Sequence, residues 1–130
     1  RKRYGDKILQ YGYVAARAAY VDWLRRGAIV ISTAQQENFG ISMVEATRFG
    51  CIPLAPDRLV YPEIIPKAFH VECLYTGKDD LAEKLCHILN NPSASEQKRK
   101  ALSKAMASFS WERRVGAYDE ELEKMAIAFR

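Results

Sequence analysis

The sequence predicts an α/β fold in which a parallel sheet is flanked by helices. Three observations lead there. "AIVIST" (residues 28–33) and "CIPLA" (51–55) are short, continuous apolar runs, the pattern of strands that a parallel sheet buries. The segments between and after them have helical spacing. Strand and helix then alternate along the chain, as right-handed βαβ units require.

Taken in order, "KILQYG" (7–12) reads as a short strand closed by a glycine turn. "AARAAYVDWLRRG" places Ala16, Tyr20, Trp23 and Leu24 on one helical face, with Gly27 as the stop. The 28–33 run is expected to be a strand buried on both faces. A helix over about 40–49 follows, ended by Gly50, and 51–55 is the next strand. "DRLVYPEIIP", punctuated by Pro62 and Pro66, reads as a loop or short helix. "VECLYT" (71–76) is expected to be a fourth strand. "DDLAEKLCHILNN" is an amphipathic helix with Asp79 and Asp80 in its first turn, where the helix dipole favours them; capping explains this pair better than a metal does. "SASEQKRKALSKAMASF" is another helix with Ser93 or Ser95 as cap, and 111–129 a last long one. Four short strands make a thin sheet, and the chain opens almost directly on the first. The expectation is therefore a domain that lacks its N-terminal neighbour.

Composition narrows the function classes. At 130 residues the chain is one domain or part of one. A content of 48% hydrophobic and 28% charged residues is ordinary for a globular protein and excludes disorder. No apolar run approaches the roughly 20 residues a bilayer requires, and no charged-then-apolar leader opens the chain. A soluble, cytoplasmic protein with no transmembrane segment is expected. Cys51, Cys73 and Cys86 are odd in number with no CxxC pair, and read as buried free thiols. The net charge of +4 gathers partly in Arg1, Lys2 and Arg3 and in "QKRK" (97–100). Solvated surface is the ordinary reading there; an anionic ligand or RNA is permitted.

The stretch "TAQQENFGISMVE" carries the chemistry. It leaves the end of the 28–33 strand, at the rim where parallel sheets bind ligands. Gly40 lets the backbone approach a ligand closely. The amides of residues 38–42 open a helix without intrahelical acceptors, a seat for a phosphate or a sugar hydroxyl. Glu37 lies outside the helix and can point into the cleft. Glu45 lies less than two turns in, and helical side chains lean back toward the N-terminus. Carboxylates repel phosphate but accept hydrogen bonds from hydroxyls, so a nucleotide sugar meets both needs. The alternative makes Glu37 a loop charge and Glu45 an exposed helix residue. Spacing alone leaves both open.

"ENFGISMVE" resembles the E-x7-E pattern of retaining glycosyltransferases with the GT-B fold, particularly the large family 4 group. The following "EATRFGCIPLAPDRLVYPEIIP" is similar to that group's helix ending in Gly-Cys, proline-bearing strand and Pro-Glu loop. Taken with "GYV", it looks most like the queuosine-tRNA mannosyltransferase branch. The resemblance covers roughly residues 9–89, and "FSWERRVGAYDEEL" is similar to the helix that ends these enzymes.

What this implies is a Rossmann-like, C-terminal nucleotide-sugar-binding domain over 1–130, without its first βαβ segment and without the N-terminal acceptor domain. The reaction implied is hexose transfer, with GDP-mannose as the donor substrate, no cofactor, and queuosine-modified tRNA as the acceptor. A glycolipid or polysaccharide synthase using a UDP- or GDP-sugar is the alternative enzyme, and a non-catalytic nucleotide-binding module the alternative class. Residue by residue, the resemblance assigns Glu37 to the sugar hydroxyls, as the catalytic position. The backbone at Asn38, Phe39, Gly40 and Ile41 goes to the sugar and diphosphate, and Glu45 to the ribose hydroxyls. Gly12, Tyr13 and Val14 go beside the base. The family's diphosphate-clamping arginine and lysine come from an earlier segment, and Arg1, Lys2, Arg3 and Lys7 do not replace them. His70 and His87 read as satisfied or surface histidines, and Trp23 and Trp111 as packing residues. Asp57, Arg58, Tyr61 and Glu63 either line the cleft mouth or form a charged loop. No HxxxH, DxD or cysteine cluster has metal-ligand spacing.

Overall fold

The computed structural model describes residues 4–128; Arg1, Lys2, Arg3 and the 129 end of the last expected helix lie outside them. A 3-10 turn at Gly5–Lys7 leads through irregular chain to α1 (Arg17–Arg26), β1 (Ile29–Ile31), α2 (Ile41–Arg48) and β2 (Ile52–Pro56). Then come α3 (Tyr61–Ile64), α4 (His70–Cys73), β3 (Leu74–Tyr75), α5 (Lys78–Asn90), α6 (Pro92–Met106) and α7 (Trp111–Ala128). The three strands form one parallel sheet in the order β1-β2-β3, with Ile29 opposite Ile52 and Ala55 opposite Leu74. This is the expected α/β, Rossmann-like sheet flanked by helices.

β2 sits in the middle and every residue of it is buried. Met43 of α2, Tyr61, Ile64, Ile65, Cys73, Leu74 and Leu102 of α6 close around Ile52 and Ala55 to make the core. α6 also finishes α2. Ser103 Oγ donates to the Arg48 carbonyl at 2.6 Å, and the Arg99 guanidinium donates to the Gly50 carbonyl. The last carbonyls of a helix have no intrahelical donor, so these side chains supply one.

Two prolines in a central strand remove ladder donors, and the register shows how each loss is absorbed. Ile52 N–H donates to Ala28 and Ser32 N–H to Leu54, so even-numbered β2 residues face β1. Pro53 therefore faces the β3 side, at a point where β3 has not yet begun. Pro56 faces β1, opposite the Ser32 carbonyl. There the Tyr75 hydroxyl donates to that carbonyl at 2.7 Å in place of the missing N–H.

Several expectations are corrected. The 7–12 segment is not a strand. Gly12, at φ +87, breaks the extended run, Leu9 is 71% exposed, and no strand pairs with it among the described residues. Among the described residues the sheet therefore has three strands in place of four. Among the described residues β1 lies at the sheet's edge, and Ile31 is 44% exposed where burial on both faces was expected. Residues 71–73 turn as a helix, which buries Cys73 and exposes Val71, leaving only two residues of strand. α6 begins at Pro92 behind Asn91. Neither Ser93 nor Ser95 caps it, and the Ser95 hydroxyl instead donates to the Ile88 and Asn91 carbonyls. Proline at the first helical position loses no useful N–H, which favours the earlier start. Cys51 and Cys73 are buried, and burial pushes the Cys73 thiol up to about 12. Cys86 is exposed. Trp111 is exposed as well and stacks on Tyr118 with centroids 6.2 Å apart.

Among the described residues, no helix is long and apolar enough to cross a membrane, and no three His, Cys, Asp or Glu side chains group to hold a metal ion.

Candidate functional site

The carboxyl ends of β1 and β2 and the N-terminus of α2 meet at one rim. The chain leaving β1 is held there by hydroxyls. Ser32 Oγ and Tyr61 Oη share a hydrogen bond at 2.6 Å, and the Ala34 N–H donates to the same Ser32 Oγ at 3.2 Å. Arg58 Nη2 donates to the Ala34 carbonyl at 3.1 Å. Tyr61 is thus buried inside the rim and Arg58 ties its loops together, while Glu63 borders a neighbouring hollow with Phe39, Trp111 and Tyr118.

The loop then enters α2 through Gly40, which has φ +65. A Cβ there would stand 2.7 Å from Ile64 Cδ1 and 3.2 Å from Val60 Cγ1. Glycine is required twice, by its left-handed conformation and by the packing beneath it. Glu37 turns its carboxylate back onto this turn. Its Oε1 accepts from the Phe39 N–H at 3.2 Å and the Gly40 N–H at 3.0 Å. Those amides, Gly40 foremost, hold the Glu37 carboxyl below its ordinary range. Glu37 lies outside the helix, as read from sequence, and two donors within reach draw one of its oxygens inward. Glu37, Asn38 and Phe39 line an open hollow of about 600 Å³ with Gln36 and Leu59. Phe39 and Ile41 face outward.

Glu45, half-buried on α2, faces α1. Tyr20 Oη donates to Glu45 Oε2 at 2.9 Å, and Arg17 Nη2 lies 3.8 Å from Oε1. Burial, and then the bond to Glu45, push the Tyr20 hydroxyl above its usual pKa. Arg17 and Tyr20 in turn line a second hollow of about 560 Å³ with Gln10, Gly12, Tyr13, Val14 and Trp23. Tyr13 is 90% exposed there, and the Arg26 guanidinium covers Trp23 from 4.4 Å. The structure therefore brings Gly12, Tyr13 and Val14 into one hollow whose wall carries the partners of Glu45. The residues from Glu37 to Phe39 line a different one. Arg17 was not singled out from sequence, and Tyr20 was read there only as part of a helical packing face; their i, i+3 spacing just after the Gly12 turn is the signal that marks them. His70 Nε2 lies 2.7 Å from the Ile65 carbonyl and His87 is exposed, as read from sequence. Asp80 accepts from the Thr76 N–H at 2.9 Å and from Lys84 at 2.7 Å, the expected first-turn role.

Known proteins place the chain. The profile of the family described as glycosyl transferases group 1 matches residues 2–108. A tRNA-queuosine alpha-mannosyltransferase of Drosophila melanogaster is 40% identical over 99 residues, which are 76% of this chain and 25% of that protein. The chain thus spans about a quarter of that relative's length. No solved structure matches it. With the family profile extending over most of its length, the chain belongs to the group 1 glycosyl transferases.

Proposed function

We propose that this chain is the C-terminal, donor-binding domain of a retaining GT-B glycosyltransferase of family 4. The parent enzyme transfers mannose from GDP-mannose to a hydroxyl of queuosine-modified tRNA in the cytoplasm. The observation that carries this reading is the link from α2 to α1. Glu45, one turn inside a helix opened by Gly40, is joined to Arg17 and Tyr20 on the wall of the 12–14 hollow. A nucleoside in that hollow brings its ribose hydroxyls toward Glu45, and its diphosphate toward the positive end of α2.

Each residue then has a task. Glu45 accepts hydrogen bonds from the ribose. The amides of Ile41 and Ser42, which open α2, face the diphosphate and offset its growing charge as the sugar departs. Glu37 Oε1 is occupied by the Phe39 and Gly40 amides, which leaves Oε2 to accept from a sugar hydroxyl and orient the sugar. The choice of mannose and of tRNA is supported by the name of the Drosophila relative.

The test uses the intact parent enzyme with GDP-mannose and total tRNA. The RNA is digested and its nucleosides are examined by mass spectrometry. A hexose added to queuosine, and lost in Glu45→Ala, is the expected result. No hexosylated nucleoside in the wild-type reaction removes the tRNA acceptor. Absence of GDP-mannose binding to the same wild-type enzyme removes the donor assignment.

A further inference from the structure

We propose that the far end of α2 carries an RNA-backbone contact, separate from the donor rim. A hollow of about 520 Å³ lies there between the end of α2, the outer face of α6 and the start of α7. Arg48, Arg99, Lys100, Lys104 and Arg113 line it against a single carboxylate, Glu96. The lining thus carries an excess of four positive charges gathered in one hollow, a local concentration that attracts polyanions.

The cations divide into two kinds. Arg99 and Arg48 have structural tasks, on the Gly50 carbonyl and on Ser103. Glu96 partly neutralises Arg99 at 3.6 Å and Lys100 at 3.2 Å. Lys104 and Arg113 have no carboxylate partner among the described residues. Two unpaired cations beside three partly engaged ones form a surface for several phosphates spread in space, which is what a nucleic-acid backbone presents. A membrane surface fits less well. The apolar residues of the lining, Phe49 and Ala107, are half-buried, so no exposed apolar side chain there can enter lipid.

Distance fits one RNA touching both places. α2 has eight residues and is therefore about 12 Å long, a short step for a folded RNA whose modified base reaches the donor rim. The "QKRK" run is resolved by this arrangement. Lys98 turns away to Glu72 at 2.6 Å, while Arg99 and Lys100 face the hollow. This inference rests on the RNA-acceptor reading for its biological meaning, and on the charge distribution for its physical content.

The test is binding of total tRNA to the intact parent protein, without donor, at 50 and 200 mM salt. Removing two phosphate contacts lowers the salt slope by about 1.4 to 1.8. Wild type should therefore lose roughly tenfold more affinity across that range than the Lys104→Gln/Arg113→Gln variant. Lys104→Arg/Arg113→Lys keeps both charges and should retain the wild-type slope. The KM for GDP-mannose should be the same in all three. An unchanged salt slope in the Gln variant overturns the proposal and leaves the donor reading intact. A reduced slope in a parent that transfers no sugar to RNA supports the contact while removing the acceptor reading. Equal loss in the charge-preserving variant would also overturn it, since the effect would then be structural.

Discussion

The Tyr75 hydroxyl donates to the Ser32 carbonyl at 2.7 Å, filling the place in the β1–β2 ladder where Pro56 has no N–H. The sheet's edge and the start of the rim loop are therefore joined by a side chain from the third strand. Ser32 is held at its hydroxyl as well, by Tyr61 at 2.6 Å. Two tyrosines thus set where the chain leaves β1, and through it where Glu37 and Gly40 stand.

Tyr75→Phe should destabilise the domain by about 1–3 kcal/mol, because the part-buried Ser32 carbonyl loses its donor and Pro56 cannot replace it. Denaturant unfolding checks this. The midpoint should fall with an unchanged slope. An unchanged midpoint would mean that water serves the carbonyl equally well.

Gly40→Ala should cost more than Gly50→Ala, although both glycines have positive φ. At Gly50 the nearest atom to a new Cβ is the Arg99 guanidinium at 3.6 Å, an ordinary contact, so only the left-handed strain of about 1–2 kcal/mol applies. At Gly40 the new Cβ also meets Ile64 Cδ1 at 2.7 Å. The midpoints of the two variants, measured side by side, should differ in that order. Equal losses would show that Ile64 yields without cost.

Much of this was legible in the sequence. The strand–helix alternation survived because continuous apolar runs such as 51–55 have nowhere to go but a buried strand. Gly40 and Glu45 were legible because "ENFG" combines a rim position with a helix start. Other features were not. Whether 7–12 becomes a strand depends on a partner edge, which no local pattern encodes. Residues 71–73 suit a helical turn or a strand equally well, and only the burial of Cys73 decides. The inward turn of Glu37, and the pairing of Glu45 with Tyr20 across 25 positions, are tertiary facts.

Glu37 should titrate below the ordinary carboxylate range, since the Gly40 and Phe39 amides favour its charged form. The sign follows. A depressed folded pKa gives the rim turn stability that is present above the unfolded value and lost as pH falls through the folded one. Carboxyl and Gly40 amide shifts, followed by NMR as the solution is acidified, should move together at that low midpoint. In Glu37→Gln the Gly40 amide should stay flat. A Gly40 amide that titrates as before in the variant would place its partner elsewhere.

Tyr20 is the positioning residue for Glu45, and its removal separates placement from charge. The bond from Tyr20 Oη fixes Glu45 Oε2, while Arg17 at 3.8 Å and 81% exposed offers only a screened attraction. In Tyr20→Phe the Glu45 carboxylate keeps its charge but regains rotamer freedom, so the cost falls on binding. In the intact parent the KM for the sugar nucleotide should rise by roughly threefold to tenfold with kcat nearly unchanged, the pattern of lost uniform binding. Glu45→Ala should do more, and adding Tyr20→Phe to it should do little further, because the hydroxyl then has nothing to position. Additive losses in the double variant would show that Tyr20 acts on the ligand directly, as a wall of the 12–14 hollow, and not through Glu45.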